Sequence, residues 1–136
     1  MNFELTKEQI EYRNEVELFA RKNLNGKEEM HYFSRELWDK ISELGILGIT
    51  VSEEYGGMNE DYQTAAILME ALGYACVNNG FVFVVNNHIW VAQNLIYLYG
   101  TEYLKKKYLD EMVKGRKIGA FALTECDSGS DACHMR

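Results

Sequence analysis

The sequence lacks the features that mark membrane-spanning, secreted and nucleic-acid-binding chains. Its longest wholly apolar run, 81–85, is far too short to cross a bilayer. Residues 1–13 mix charged and apolar side chains and do not resemble a signal peptide. The chain has 14 Lys and Arg against 21 Asp and Glu, a net charge of −7. Such a surface is soluble and disfavours nucleic acid and anionic membrane as main partners.

Proline is absent and cysteine is scarce. Three thiols, Cys76, Cys126 and Cys133, are an odd number in a chain without a secretory signal, which predicts a reducing, cytoplasmic location. Cys126, Cys133 and His134 lie close together in sequence, but their spacing matches no common zinc pattern. We therefore predict no metal site.

What the chain does have is enough apolar sequence for one folded domain and a long helical pattern. It contains 136 residues, 47% of them hydrophobic. Thr6 and Gln9 have the spacing of a capping box, and the helix that they begin should end near 25–26. Ser34 is the expected N-cap of a second helix, which Gly45 should close in the left-handed conformation.

Three further helices are predicted. The first spans 62–75. The segment 81–99 begins with strand-forming residues, but it is apolar nearly all round at helical spacing, which is typical of an interior helix. His88 lies within it and is expected to be a hydrogen-bonded interior histidine, since no catalytic partners accompany it. The last helix should run from Thr101 to Gly115.

The periodicity changes at the C-terminal end. Residues 117–123 alternate as in a β-strand, and 124–131 follow as a turn of small polar residues. Backbone N–H groups and short hydroxyls in such a turn can receive an anion, although most turns of this composition are ordinary loops. The residues therefore predict a mainly helical chain from Thr6 to Val113, with β structure only from about Lys117 onward.

Two motifs resemble those of the acyl-CoA dehydrogenase family, in the family's order. The sequence F-A-L-T-E-C-D-S-G-S-D at 121–131 is similar to the family's flavin-contacting loop, and G-I-L-G-I-T-V-S-E-E-Y-G-G at 45–57 to an earlier block. Cys126 and Ser52 stand where the family has proline, and Ser128 where it has alanine. The missing proline at 126 removes a fixed φ and favours a more mobile loop, but the flavin-contacting groups remain.

The resemblance covers essentially the whole chain. It implies the orthogonal N-terminal helical bundle of an acyl-CoA dehydrogenase over 1–115, then the first strand and flavin loop of a truncated β-barrel domain over 116–136. Family members are much longer and continue to a C-terminal helical bundle that carries the catalytic carboxylate. This chain is therefore expected to be a truncated form, inactive alone, with no catalytic residue of its own.

The activity that the resemblance implies is the α,β-dehydrogenation of acyl-CoA or another acyl thioester, an oxidoreductase step of fatty acid metabolism. A carboxylate base takes the α-proton, the β-hydride goes to FAD, and the electrons leave to an electron-transferring flavoprotein. The family's acyl pocket would be lined by 81–99. FAD is expected in the complete protein but not to be retained by this fragment. A homo-oligomer is also expected.

Five residues would contact FAD by matching position in the family's loop. Phe121 and Leu123 would offer backbone groups to the pyrimidine edge of the flavin. Thr124 would place its hydroxyl and N–H near flavin O2, where charge builds up on reduction. Gly129 and Ser130 would approach the pyrophosphate, and Ser130 would also meet the pantetheine arm of the substrate.

Two other functions remain open from the sequence. The chain could be a non-catalytic helical interaction module derived from the family, which a large exposed apolar patch would indicate. It could also belong to a protein with a different flavin chemistry on the same scaffold, such as an oxidase or a hydroxylase.

Overall fold

The structure, a computed structural model, describes residues 4–25, 33–131 and 133. Across these ranges the chain forms six α-helices, one π-helical stretch and two short 3-10 helices. The α-helices are α1 (Lys7–Asn23), α2 (Arg35–Glu43), α3 (Tyr62–Ala75), α4 (Asn79–Asn86), α5 (Asn94–Tyr99) and α6 (Glu102–Val113). The π-helical stretch Asn87–Gln93 joins α4 to α5 without a break, so 79–99 is one long helix. The 3-10 helices Ile46–Gly48 and Glu53–Tyr55 connect α2 to α3.

Local capping explains where the helices begin. The Thr6 hydroxyl accepts from Gln9 N at 3.1 Å and the Gln9 side chain accepts from Thr6 N at 3.1 Å, which confirms the predicted capping box. The predicted N-cap Ser34 accepts from Leu37 N at 3.3 Å. Each cap satisfies a backbone donor that the first helical turn leaves free. Helix α1 ends at Asn23, two residues earlier than predicted.

Glycine allows the tight connection between α2 and α3. Gly45, predicted as a left-handed cap, has φ 81°, and Gly56 has φ 83°. Gly57 has a different reason to be glycine, because a Cβ on it would lie 2.6 Å from the carbonyl oxygen of Gly48. Side chains are disfavoured at all three positions, by backbone conformation in two and by close approach in the third.

The main core lies among α1, α2, α3 and the long helix. Its fully buried members include Trp38, Ile41, Leu47, Leu72 and Ile89. A smaller cluster under α6 consists of Val51, Tyr55, Leu109 and Val113. No helix in the described part of the chain is long and apolar enough to cross a membrane.

The long helix is not the interior helix that its sequence predicts. Its inner face is buried, but Phe83 is 68% exposed and Tyr99 is 80% exposed. Leu104 on α6 is exposed as well. The prediction was wrong for the outer face because the helices in the described part of the chain pack against the inner face of 79–99 and leave these side chains uncovered. An apolar side chain favours burial, but whether it is buried depends on which elements pack against it.

The predicted strand at 117–123 is not formed: within the described residues there is no β-strand. The segment bonds to helices instead, with Lys117 N donating to Glu111 O at 3.0 Å and Gly119 N donating to a side chain of the long helix. Alternation shows which faces a strand would have, but a strand also needs a second strand to pair with. The mainly helical fold is therefore confirmed and its β component is not.

Candidate functional site

The site begins where α6 ends and the chain leaves the helical domain through residues 115–119, here called the exit segment. Gly115 has φ 65°, and a Cβ on it would lie 2.8 Å from the side chain of Ser42. Its carbonyl oxygen accepts hydrogen bonds from Trp38 Nε1 at 2.8 Å and from Arg35 Nη2 at 2.9 Å. Helix α2 therefore determines the direction in which the exit segment starts.

His88 holds the other end of the exit segment. Its ring is fully buried, with Nδ1 3.0 Å from Gly119 N and Nε2 3.1 Å from Met112 O. Since Gly119 N–H donates to Nδ1, the ring proton lies on Nε2 and is donated to Met112 O. Burial lowers the pKa of His88 to about 4. The prediction of a hydrogen-bonded interior histidine is confirmed.

An apolar groove of about 700 Å³ opens beside the exit segment. One wall is the C-terminal half of the long helix, the other is α6, and residues 117–121 run along it. Its lining consists of Val91, Ala92, Leu95, Ile96, Tyr99, Gly100, Leu104, Tyr108, Met112, Lys117, Ile118, Gly119, Ala120 and Phe121. None of these is Asp, Glu or His, and Lys117 is the charged member of the set.

Lysines and tyrosines cluster at one side of the groove. The ammonium groups of Lys107 and Lys117 lie 5.1 Å and 5.5 Å from the centre of the Tyr108 ring, within cation–π distance. Lys107 also lies 5.4 Å from the centre of the Tyr103 ring. The neighbouring phenols raise the pKa of Lys107, that of Tyr108 most strongly. Two lysines are therefore held beside the tyrosines at this side of the groove.

The loop 121–131 follows directly from the groove. Glu125 N donates to Ser128 O at 2.9 Å and the Ser128 hydroxyl donates to Asp131 O at 2.6 Å, so the loop turns back on itself. The turn brings Gly129 beside Thr124: a Cβ on Gly129 would lie 3.6 Å from Thr124 Cγ2.

The five residues expected to contact FAD lie in or next to this turn. Phe121 lines the groove and is 52% exposed. Leu123, Thr124, Gly129 and Ser130 are all exposed to solvent. These positions fit a group bound from outside, and the roles of the five residues remain predictions. In the described ranges, no cluster of three or more metal-ligating side chains occurs.

Sequence reasoning missed the residues that anchor this site. No pattern in the sequence predicts the bond from Trp38 to Gly115. His88 was expected to be satisfied, but not by Met112 and Gly119. The glycines at 115 and 119 were the available signal, because each sits where a Cβ would collide with a helix.

Comparison with known proteins gives the site its context. Residues 6–116 match the family model described as acyl-CoA dehydrogenase, N-terminal domain. A probable acyl-CoA dehydrogenase of Bacillus subtilis, YngJ, is 36% identical over 136 residues, covering 97% of this chain and 35% of the relative. This chain therefore belongs to the acyl-CoA dehydrogenase family.

Solved structures agree with that assignment. The structure described as the FAD complex of PigA superposes with a TM-score of 0.93 at 31% identity, covering 100% of this chain and 37% of that one. Butyryl-CoA dehydrogenase from Megasphaera elsdenii has a TM-score of 0.84 at 31% identity, with coverage of 100% and 37%. The chain spans about a third of the length of these relatives.

Proposed function

We propose that the chain forms the N-terminal part of an FAD-dependent acyl-CoA dehydrogenase that introduces an α,β double bond into an acyl thioester. The observation that carries the proposal is the apolar groove, which runs along the long helix and ends at Phe121, the first residue of the loop expected to contact the flavin. Its volume of about 700 Å³ would hold an alkyl chain, and the groove reaches the edge of that loop.

The groove walls suit an acyl chain for a simple reason. Leu95 and Ile96 on one side and Leu104 and Met112 on the other present hydrocarbon to the groove. Each methylene group of a ligand buried there contributes roughly 0.8 kcal/mol to binding. The walls offer little that would bind a polar ligand of the same size.

The loop residues would bind and orient the cofactor. FAD, when bound, supplies the acceptor for the β-hydride. Thr124 would donate from its hydroxyl and N–H toward the flavin atoms that gain negative charge, which lowers the barrier. Gly129, without a Cβ, leaves room for a phosphate, and the Ser130 hydroxyl would donate to it. Phe121 and Leu123 would contribute backbone groups at the flavin edge.

We further propose that the 136-residue chain has no dehydrogenase activity alone. The groove residues include no carboxylate or imidazole that could take the α-proton. Loss of a general base costs on the order of 10²–10⁴ in rate, before any weaker hold on FAD is counted. The base would come from the longer remainder that relatives possess. An electron-transferring flavoprotein is the proposed electron acceptor, and a homo-oligomer the proposed working assembly.

The test is a chimera. The part of Megasphaera elsdenii butyryl-CoA dehydrogenase that matches this chain is replaced by residues 1–136, and flavin content and butyryl-CoA-dependent dye reduction are measured. We expect bound FAD and turnover in the chimera, and neither in the isolated chain. A folded chimera without flavin, or turnover by the isolated chain, would contradict the proposal.

Point variants of the chimera test the loop. Thr124→Ala and Ser130→Ala should each weaken FAD binding by roughly 10- to 150-fold, the effect of one lost charge-assisted hydrogen bond. Asp127→Ala is the matched control, since its exposed carboxylate can only accept and should not hold a pyrophosphate. Equal FAD affinity in all three variants would refute the roles of Thr124 and Ser130.

A non-catalytic interaction module is the second candidate, and the exposed apolar surface favours it. The exposed apolar side chains are Phe83, Leu98 and Tyr99 on the long helix and Tyr103 on α6. On this hypothesis, the isolated chain binds a partner through that surface and the chimera binds no FAD.

A further inference from the structure

We infer that His88 is a positioning residue for the loop 121–131: its imidazole, with the proton on Nε2, fixes Gly119 and so determines where the loop leaves the helical domain. The importance of this for FAD rests on the proposed function. The positioning itself rests on the geometry of the helical domain.

Two hydrogen bonds place the imidazole between three segments. His88 itself belongs to the long helix. Its Nε2–H donates to Met112 O near the end of α6, 24 residues away, at 3.1 Å. Nδ1 accepts from Gly119 N, 31 residues away, at 3.0 Å. Gly119 is two residues before Phe121, so this bond acts at the base of the loop.

Packing prevents the ring from taking another orientation. The Trp38 ring meets the imidazole edge to face, with centroids 5.0 Å apart and an interplanar angle of 88°. The backbone of Gly119 is itself closely packed, since a Cβ on it would lie 2.7 Å from Met112 Cε and would also collide with Ala92. A ring flip would exchange both nitrogens for carbons and break both hydrogen bonds of the imidazole.

The remainder of the exit segment is held in the same way. Gly115 O accepts from Trp38 and Arg35, and Lys117 N donates to Glu111 O. In the loop itself, the bonds from Glu125 N and from the Ser128 hydroxyl both remain within the loop. The bond from Gly119 to His88 is therefore an attachment to the helices that lies two residues before the loop.

The tautomer makes the attachment sensitive to protonation. A proton on Nδ1 would place two N–H groups against each other and remove the bond to Gly119. Among the described residues, burial and the bond to Met112 O are what act on the pKa of the ring. Charged side chains on the elements around it pair with other groups: Arg35 with Asp39 on α2, Arg116 with Asp110 and Glu111 beside α6, and Lys117 with the Tyr108 ring. Burial thus acts without a counter-charge, in keeping with the lowered pKa of His88.

The experiment uses the 136-residue chain without flavin, so its outcome is independent of the proposed function. Imidazole ¹⁵N shifts of His88 are followed by NMR from pH 7 to pH 3, with amide exchange measured for Gly119 and for the core residue Ile41. We expect a neutral ring protonated on Nε2 at pH 7. In His88→Leu, Gly119 exchange should accelerate at least about tenfold relative to Ile41, the effect of one lost hydrogen bond.

Asn87→Ala is the matched control. Its side chain donates to Phe83 O at 2.9 Å within the same helix, so its removal should leave the ratio of Gly119 to Ile41 exchange unchanged. A ring protonated on Nδ1 at pH 7 would overturn the inference. Unchanged relative protection of Gly119 in His88→Leu would also overturn it. If that variant does not fold, the wild-type titration decides: Gly119 protection must fall as the ring gains its second proton.

Discussion

The indole Nε1 of Trp38 donates a hydrogen bond of 2.8 Å to the carbonyl oxygen of Gly115, 77 residues later in the chain. The same indole meets the ring of His88 edge to face. Helix α2 thus supports both ends of the exit segment, one directly and one through His88. The placement of the candidate flavin loop therefore depends on residues far from it in sequence.

Replacing this indole should destabilise the protein. Trp38→Phe removes the buried donor to Gly115 O, and we expect a loss of about 1–3 kcal/mol in the free energy of unfolding, measured with urea. The control is Trp90→Phe, because the half-buried Trp90 Nε1 bonds at 3.0 Å to Asn86 within its own helix. A loss at Trp38 no larger than at Trp90 would show that the long-range bond contributes little.

Gly57 and Gly73 should respond in opposite directions to alanine. At Gly57, a Cβ would lie 2.5 Å from the carbonyl carbon of Val51 and 2.6 Å from Gly48 O, so Gly57→Ala should destabilise strongly or prevent folding. At Gly73, within α3, the nearest group would be Val82 Cγ1 at 3.9 Å. Gly73→Ala should raise the unfolding free energy by roughly 0.5–1 kcal/mol. Thermal unfolding of both variants tests this, and a stable Gly57→Ala protein would contradict the close approach.

His88 should make the protein less stable in mild acid. Its pKa is lowered from 6.5 to about 4 in the folded state. Above pH 6.5 neither state binds the proton. As pH falls toward 4, the unfolded state binds it and the folded state does not, which lowers the free energy of unfolding by roughly 3 kcal/mol in total. Urea unfolding at several pH values in this range should show that the free energy of unfolding falls with pH in the wild type and falls less in His88→Leu. The same pH dependence in both proteins would contradict the lowered pKa of His88.

The apolar groove should cause the isolated chain to self-associate. Association of two chains would bury this apolar surface, so light scattering at high concentration should detect dimers or larger species. Leu95→Glu places a charge in the groove and should shift the chain toward monomer. Leu18→Glu makes the same change at a 69% exposed site on α1 and should have little effect. A wild-type monomer would contradict the prediction.

Much of the helical fold follows from short-range patterns. The capping box of Thr6 and Gln9, the N-cap at Ser34 and the left-handed glycine at 45 each depend on residues within a few positions of one another. Such interactions are encoded directly in the sequence because a helical turn brings the residues together wherever the helix lies. The family assignment was also available from the sequence, since each of the two motifs, 45–57 and 121–131, is an uninterrupted run of residues.

Only the tertiary structure decided the rest. The alternation at 117–123 did not produce a strand, because the described chain supplies no second strand to bond with it. The apolar long helix kept an exposed face because no element among the described residues covers it. Likewise, Trp38 with Gly115 and His88 with Gly119 are pairs brought together by packing. Local sequence specifies the capacity of a residue to bond or to be buried, and the arrangement of distant elements specifies the partner.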